Sequence, residues 1–139
     1  MVVIGTWNLE NLYRPGGQFG PKNQAAYEAK LTVLAAMITA ANPDVLAVQE
    51  IGEPAALDDL VTQLPGTWHT TLSTHPDARG IRVGFLTRTA PATTEQVVDF
   101  PPPLRPVQVG DAPTDEAVGM AAAPCTSTLR TWAVRPGTW

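Results

Sequence analysis

Hydrophobic residues in the first third of the chain fall into a strand-like run, a helix-like run and a second strand-like run. Residues 2–9, "VVIGTWNL", combine three β-branched residues with an alternating face of Trp7 and Leu9, which predicts a buried β-strand. Residues 44–50, "DVLAVQE", form a second apolar run that predicts another strand. Two such strands joined by a helix predict a parallel β-α-β unit, because a helical crossover lets the second strand run in the same direction as the first.

The segment between these strands has the spacing of an α-helix. Its start is marked by Asn23, whose side chain can cap the first turn, and its end by the pair Asn42 and Pro43. The residues expected on its buried face recur three or four positions apart: Tyr27, Leu31, Leu34, Ala35 and Ile38. We therefore expect one helix over residues 23–41.

Weaker patterns follow the second strand. Residues 54–63 predict a short helix, residues 67–73 a strand, residues 81–88 a further strand, and residues 94–100 a weaker one. The short helix is expected to place on one side Leu57, Leu60 and Val61. The strand "IRVGFLTR" is expected to place on one face Ile81, Val83, Phe85 and Thr87.

The character of the chain changes at residue 101. Residues 101–139 contain seven prolines, show no helical or strand period, and carry no acidic residue after Glu116. We expect one domain over residues 1–100, followed by an irregular tail rich in proline and alanine over residues 101–139.

Composition narrows the functional classes. The chain has 139 residues, 44% of them hydrophobic, and a net charge of -4 without any block of basic residues. This argues against a large basic surface for polyphosphate, so that a phosphate is better held by a metal on carboxylates. The single Cys125 excludes an internal disulfide framework, and no signal peptide or membrane-length apolar run is visible. The expected location is the cytoplasm, with no membrane partner.

Two polar residues lie at the carboxyl ends of the two predicted strands. Asn8 belongs to the first strand and Glu50 ends the second. Parallel neighbouring strands would bring both side chains to the same edge of the sheet. A carboxylate beside a neutral amide suits a hard cation that keeps several waters, which describes Mg²⁺. The alternative is structural: Asn8 caps a turn and Glu50 caps the next helix, where an acid gains about 0.3 to 1 kcal/mol.

Three short motifs carry a family resemblance. "TWNLENL" at residues 6–12, "PDVLAVQE" at residues 43–50 and "RGIRVGFLTR" at residues 79–88 stand in an order and spacing that resemble the endonuclease/exonuclease/phosphatase superfamily, which has the DNase I-like fold. The resemblance covers residues 2 to about 100. It implies an α/β fold, a partial DNase I-like two-sheet sandwich with flanking helices, of which this stretch is the first half.

The resemblance also implies a function and a site. Its members hydrolyse phosphoester bonds of nucleic acids or small molecules with Mg²⁺, or with Mn²⁺ in its place. Asn8 would lie at the metal and phosphate site, and Glu50 would be a metal ligand. Arg79 and Arg88 are weaker candidates for a phosphate contact, since an arginine at a strand end is more often only solvated.

Other polar residues receive structural expectations. His69 and His75 match no motif of the family and are expected at the surface. Glu10 and Asn11 are expected to shape the first loop. The alternative reading of the whole chain is a non-catalytic α/β module in which Asn8 and Glu50 are only structural caps.

Motifs of the family's second half are absent from this sequence. The resemblance implies a "GDFN"-type motif, a histidine at a neighbouring strand end and a late Ser-Asp-His, and none of these occurs among the 139 residues. They would supply the base that activates water and the groups that stabilise the developing charge. We therefore expect a truncated, inactive chain, whose uncovered strand edges favour self-association.

A frameshift is one hypothesis for the tail. With GC-rich codons, one base added after Met120 changes "MAAAPCTST" into "MGRGALHVH", which alternates like a strand and resembles the family's next strand. The alternative is a genuine low-complexity tail. The DNA sequence across codons 110 to 139 would decide between them.

Overall fold

The computed structural model describes residues 1–97 and the backbone of residues 128–130. In chain order the elements are β1 Ile4–Leu12, α1 Gln24–Ala41, β2 Val45–Ile51, α2 Pro54–Thr62, β3 His69–Leu72, β4 Arg82–Thr87, β5 Glu95–Val97 and β6 Thr128–Arg130. Within this described part no helix is long and apolar enough to cross a membrane.

The strands form two sheets. The larger has the order β1-β2-β4-β3, with β1 and β2 parallel and the other pairs antiparallel. The smaller pairs β5 with β6 in antiparallel fashion. The parallel β1-α1-β2 unit confirms the prediction from the hydrophobic pattern, and the α/β architecture is consistent with a partial DNase I-like fold.

The first helix forms as its sequence predicts. The side chain of Asn23 accepts a hydrogen bond of 2.9 Å from the backbone N–H of Ala26, so it caps the first turn. At the other end Asn42 adopts a left-handed conformation with φ of 44° and donates its N–H to the carbonyl of Ile38. The buried positions of α1 are the five expected: Tyr27, Leu31, Leu34, Ala35 and Ile38.

A single core lies between the two helices and one face of the larger sheet. On β2 the buried Leu46 and Val48 alternate with partly exposed residues, so only one face of the strand is covered. Leu57 and Leu60 of α2 are fully buried against it. Removing a side chain such as Leu57 from this core would cost about 2 to 5 kcal/mol.

The first strand differs from its prediction in two ways. Val2, Val3 and Ile4 were expected to be buried, but they are 64%, 42% and 73% exposed. This prediction was wrong because, among the described residues, β1 lies at the edge of the sheet. Val2 and Val3 precede the strand, and Ile4 lies on the face that the two helices do not cover. The strand also continues past residue 9 to Leu12, through a bulge that holds the candidate site.

The tail is described only in part. Thr128–Arg130 forms β6 within the stretch expected to be irregular, because these residues find a ladder partner in β5. The remainder of residues 101–139, including the frameshift hypothesis at Met120, lies outside the described residues.

Candidate functional site

Asn8 and Glu50 meet at the carboxyl ends of β1 and β2. Asn8 is paired with Gln49 in the parallel ladder, which places Glu50 one residue further along the neighbouring strand. The side-chain nitrogen Nδ2 of Asn8 donates to Oε1 of Glu50 at 2.9 Å. The predicted convergence of these two side chains at one edge of the sheet is therefore confirmed.

A bulge in β1 shapes this edge. Between the paired positions Asn8 and Leu12, β1 has three residues, whereas β2 has one between Gln49 and Ile51. The two strands therefore cannot continue their regular ladder here. The extra length makes room for a local turn in which backbone N–H groups point toward side chains.

Three non-glycine residues at this bulge have positive φ. The angles are 53° for Glu10, 56° for Asn11 and 59° for Glu50. For a residue with a side chain this conformation costs about 1 kcal/mol or more, and for asparagine the cost is lower than for most. Such strain concentrated on adjacent strand ends is typical of functional sites, where surrounding contacts hold the backbone in place.

The carboxylate of Glu50 is held by two neutral donors. Oε1 accepts from Asn8 Nδ2, and Oε2 accepts from the backbone N–H of Asn11 at 3.0 Å. The residue that caps α2 is Glu53, whose side chain makes no capping bond. The structural alternative in which Glu50 caps the next helix is thus wrong, because the bulge turns its carboxylate toward β1.

Asn8 has a structural bond in addition to its contact with Glu50. Its Oδ1 accepts from the backbone N–H of Glu10 at 2.7 Å, which closes a short turn. A carbonyl oxygen toward the N–H and an amide nitrogen toward the carboxylate is the orientation that satisfies both neighbours. The turn-capping alternative for Asn8 is therefore observed, together with the expected contact at the site.

The Glu50 carboxylate retains lone pairs that could contact a hard cation. A carboxylate offers about four lone-pair positions, and the two neutral donors occupy two of them. The residue is half-buried, so solvent reaches it. In residues 1–97 no group of three or more His, Cys, Asp or Glu side chains converges on a point that could hold a metal. The fit is to a cation that keeps most of its waters, as Mg²⁺ does.

Tyr13 and Gly52, which follow β1 and β2, pack against each other close to Glu50 in the chain. A Cβ atom added at Gly52 would lie 2.2 Å from the Tyr13 ring, so only glycine permits this packing. The Tyr13 hydroxyl donates to the carbonyl of Arg79 at 2.7 Å, which ties the loop before β4 to the same edge. Burial, and then the charge of Asp77, raises the pKa of Tyr13.

The two predicted arginines make structural contacts. Arg88 follows β4 at the opposite end of the sheet, where it donates to the carbonyl of Pro65 at 2.6 Å and lies 3.8 Å above the Trp68 ring. Arg79 lies on the loop near the site and pairs with Asp77 at 3.4 Å. The geometry thus separates Arg88 from Asn8 and Glu50, because the strand carrying it runs antiparallel to β2.

The two histidines lie on β3 and on the loop that follows it. His75 is exposed, as expected. His69 is only half-exposed, and in the ladder it pairs with Thr87, near the end of the sheet where β2 begins. Neither makes a hydrogen bond with Asn8 or Glu50.

Sequence reasoning missed Lys30 and the backbone of Asn11. The Nζ atom of Lys30, on α1, donates to the carbonyl of Glu10 and lies 3.5 Å from the carbonyl of Asn11. Burial lowers the pKa of Lys30, while Glu10 and then Glu50 oppose that shift. The available signal was its place three residues after Tyr27, beside the buried stripe of the helix.

Comparison with known proteins identifies a family. The model of the Endonuclease/Exonuclease/phosphatase family matches residues 5–137. No curated protein and no solved structure gives a significant match. The family match begins in β1 and includes both strand ends that carry Asn8 and Glu50. The chain therefore belongs to the Endonuclease/Exonuclease/phosphatase family.

Proposed function

We propose that this protein binds Mg²⁺ or Mn²⁺ at Glu50 and presents that ion to a phosphoester group. Membership of the family indicates a hydrolase of phosphoester bonds. The observation that supports the metal site is the environment of the Glu50 carboxylate, which two neutral donors orient at a solvent-accessible edge. Among the described residues it forms no ion pair, so its negative charge is available to a cation.

The residues have separate roles in this proposal. Glu50 contacts the cation, either directly or through a metal-bound water. Asn8, expected as a second ligand, orients Glu50 through Nδ2 and can exchange that bond for one to a phosphate oxygen. The bound ion would polarise a phosphoryl oxygen or activate a water molecule. No cationic cluster is needed, which agrees with the net charge of -4.

For these 139 residues we propose binding without turnover. The base and the water-orienting groups that the family resemblance implies are absent from the sequence. A positioned base contributes about 10²- to 10⁴-fold to such reactions, so its absence removes most of the rate. The substrate class is a phosphoester, in a nucleic acid or a small molecule.

The second candidate function is a non-catalytic α/β module. The bond from the Glu10 N–H to Asn8 favours it, because that bond is purely structural. The two proposals differ in metal binding. A module needs no cation, whereas the hydrolase site predicts one at Glu50.

The test is calorimetric titration with Mg²⁺ at millimolar concentration on wild type, Glu50→Gln and Glu53→Gln. Glu53 is the matched control, since it lies three residues away and its side chain makes no capping bond. We expect weak binding that Glu50→Gln reduces by about tenfold and that Glu53→Gln preserves. Equal heats for wild type and Glu50→Gln would refute the metal site and leave the module.

We also propose that the protein self-associates through the free edge of β1, with a second copy as the partner. β1 is nine residues long, and within the described part of the chain it pairs only with β2. Ile4 on β1 is 73% exposed, and Val33 and Met37 on the adjacent helix are 57% and 49% exposed. Over residues 4–8, before the bulge, this edge carries no charged residue and no proline, which favours pairing with another chain.

Sedimentation velocity tests this association. We expect wild type to form dimers or larger species and Ile4→Lys to shift the distribution toward monomer, because a charge on an edge strand opposes pairing. Thr62→Lys, on the exposed end of α2, adds the same charge elsewhere. A clean wild-type monomer with a sharp cooperative unfolding transition would contradict the proposal.

A further inference from the structure

Among the described side chains of α1, only that of Lys30 makes hydrogen bonds to the bulge of β1. Its ammonium group donates to the carbonyl of Glu10 and lies 3.5 Å from that of Asn11. Both carbonyls belong to residues with positive φ, which turn them away from the regular ladder. Lys30 is half-buried, so these contacts take place in a partly desolvated setting where a charged donor is strong.

The same bulge supplies the bonds that orient the candidate site. The N–H of Glu10 donates to Oδ1 of Asn8, and the N–H of Asn11 donates to Oε2 of Glu50. The carbonyl of Glu10 and the N–H of Asn11 belong to one planar peptide group, so fixing that carbonyl also fixes the N–H that donates to Glu50. Lys30 therefore acts on Glu50 through the backbone, without touching it.

We propose that Lys30 is a positioning residue, which holds the bulge at Glu10 and Asn11 so that Asn8 and the Asn11 N–H present Glu50 to a cation. This proposal rests on the metal site proposed above. It assigns a function to a strained segment that the ladder alone does not stabilise.

Electrostatics and positioning predict opposite effects for this lysine. As a charge alone, an ammonium group close to Glu50 repels a second cation, so removing it would tighten Mg²⁺ binding. As a positioning group it is required, so removing it weakens binding. The sign of the change in affinity therefore separates the two roles.

The first experiment measures Mg²⁺ affinity for wild type, Lys30→Met, Lys30→Arg and Lys22→Met in the full chain. We expect Lys30→Met to weaken binding by about tenfold and Lys30→Arg to recover part of the loss, because arginine keeps the charge and the donors. Lys22 is exposed, and Lys22→Met removes an equal charge without touching the bulge. Unchanged or tighter binding in Lys30→Met would overturn the proposal.

The second experiment needs no metal and so separates this proposal from the metal site itself. Amide hydrogen exchange of Asn11 reports whether its N–H stays bonded to Glu50 in the free protein. We expect exchange of this amide to rise by about tenfold in Lys30→Met, while the amide of the buried Leu86 is unchanged. An unchanged Asn11 amide would refute the positioning role, whether or not wild type binds Mg²⁺. A rise at Leu86 as well would mean general unfolding and would also refute it.

Discussion

In the part of the chain that the structure describes, two carboxylates are held by groups from distant positions, and the two clusters are built differently. In one, Glu50 is held by the side chain of Asn8 and the backbone of Asn11, both neutral. In the other, Asp59 on α2 is held by the guanidinium of Arg14 at 2.6 and 2.7 Å, and by the Tyr27 hydroxyl at 2.8 Å. The first carboxylate keeps its charge available, whereas the second is neutralised within the fold.

The backbone shows the same contrast. Of the four described non-glycine residues with positive φ, three lie in the Glu50 cluster, and the fourth is Asn42 at the end of α1. The cluster of Asp59, Arg14 and Tyr27 contains none. A neutralised cluster on a relaxed backbone needs no role beyond joining parts of the fold, whereas strain beside an unneutralised acid needs another purpose. We interpret the first cluster as a binding site and the second as a clamp.

The largest expected difference follows from deleting one donor at the site. Asn8→Ala removes the bond to Oε1 of Glu50, and we expect Mg²⁺ affinity to fall by about tenfold, as for other groups that orient a ligand. Calorimetry measures the change. The matched deletion in the clamp, Tyr27→Phe, should leave the affinity unchanged, and an equal loss in both variants would contradict the distinction.

The same two variants should rank in the opposite order when the free energy of unfolding is measured. Tyr27 is a buried residue whose hydroxyl donates to Asp59, so Tyr27→Phe should lower the free energy of unfolding by about 1 kcal/mol. Asn8→Ala removes two exposed bonds, one to Glu50 and one from the Glu10 N–H, and should cost less because solvent replaces them. Urea denaturation of both variants measures this difference. A larger loss of unfolding free energy for Asn8→Ala would show that the site contributes more to stability than the clamp does.

The clamp should also show an acid dependence. The Arg14 hydrogen bond, and then that of Tyr27, holds the pKa of Asp59 below its usual value. A carboxyl group whose pKa is lower in the folded state stabilises the protein above its unfolded pKa of about 3.9, and this contribution is lost as the pH falls through the folded pKa. Asp59→Asn should therefore flatten the fall in urea midpoint below about pH 4. A fall of the same size in wild type and variant would contradict this.

The smallest expected effect concerns Asn11. Its backbone N–H contacts Glu50, so Asn11→Gly should keep Mg²⁺ affinity within about twofold, since glycine readily adopts the φ of 56° found there. Titration of this variant beside Asn8→Ala tests whether the backbone is responsible. A loss as large as that of Asn8→Ala would show that the Asn11 side chain takes part.

Much of the fold was predictable because its signals are local. The period of α1, its cap at Asn23 and its end at Asn42 all follow from neighbouring residues, and so did the parallel β1-α1-β2 unit. The exposure of residues 2–4 could not be predicted, because a run of β-branched residues does not show that its strand lies at the edge of the described sheet. That property depends on which strands pair across the whole sheet.

Only the part of the site that lies at the ends of the two strands could be predicted from the sequence. Asn8 and Glu50 were found from their positions and the family motifs, and their contact is observed. The bulge, and with it Lys30 and the Asn11 N–H, could not be inferred, because a register shift arises only when two strands pair. Every residue except proline has a backbone N–H, so the sequence does not indicate which of them will contact a site.

The most direct test is a titration with Mn²⁺ followed by the amide signals of wild type in nuclear magnetic resonance spectra. A paramagnetic ion broadens the amides nearest to it. We predict that Asn8, Asn11 and Glu50 broaden first, while the amides of Asp59 and Tyr27 in the clamp remain sharp. Early broadening at Asp59, or no selective broadening at any concentration, would contradict a cation site at the ends of β1 and β2.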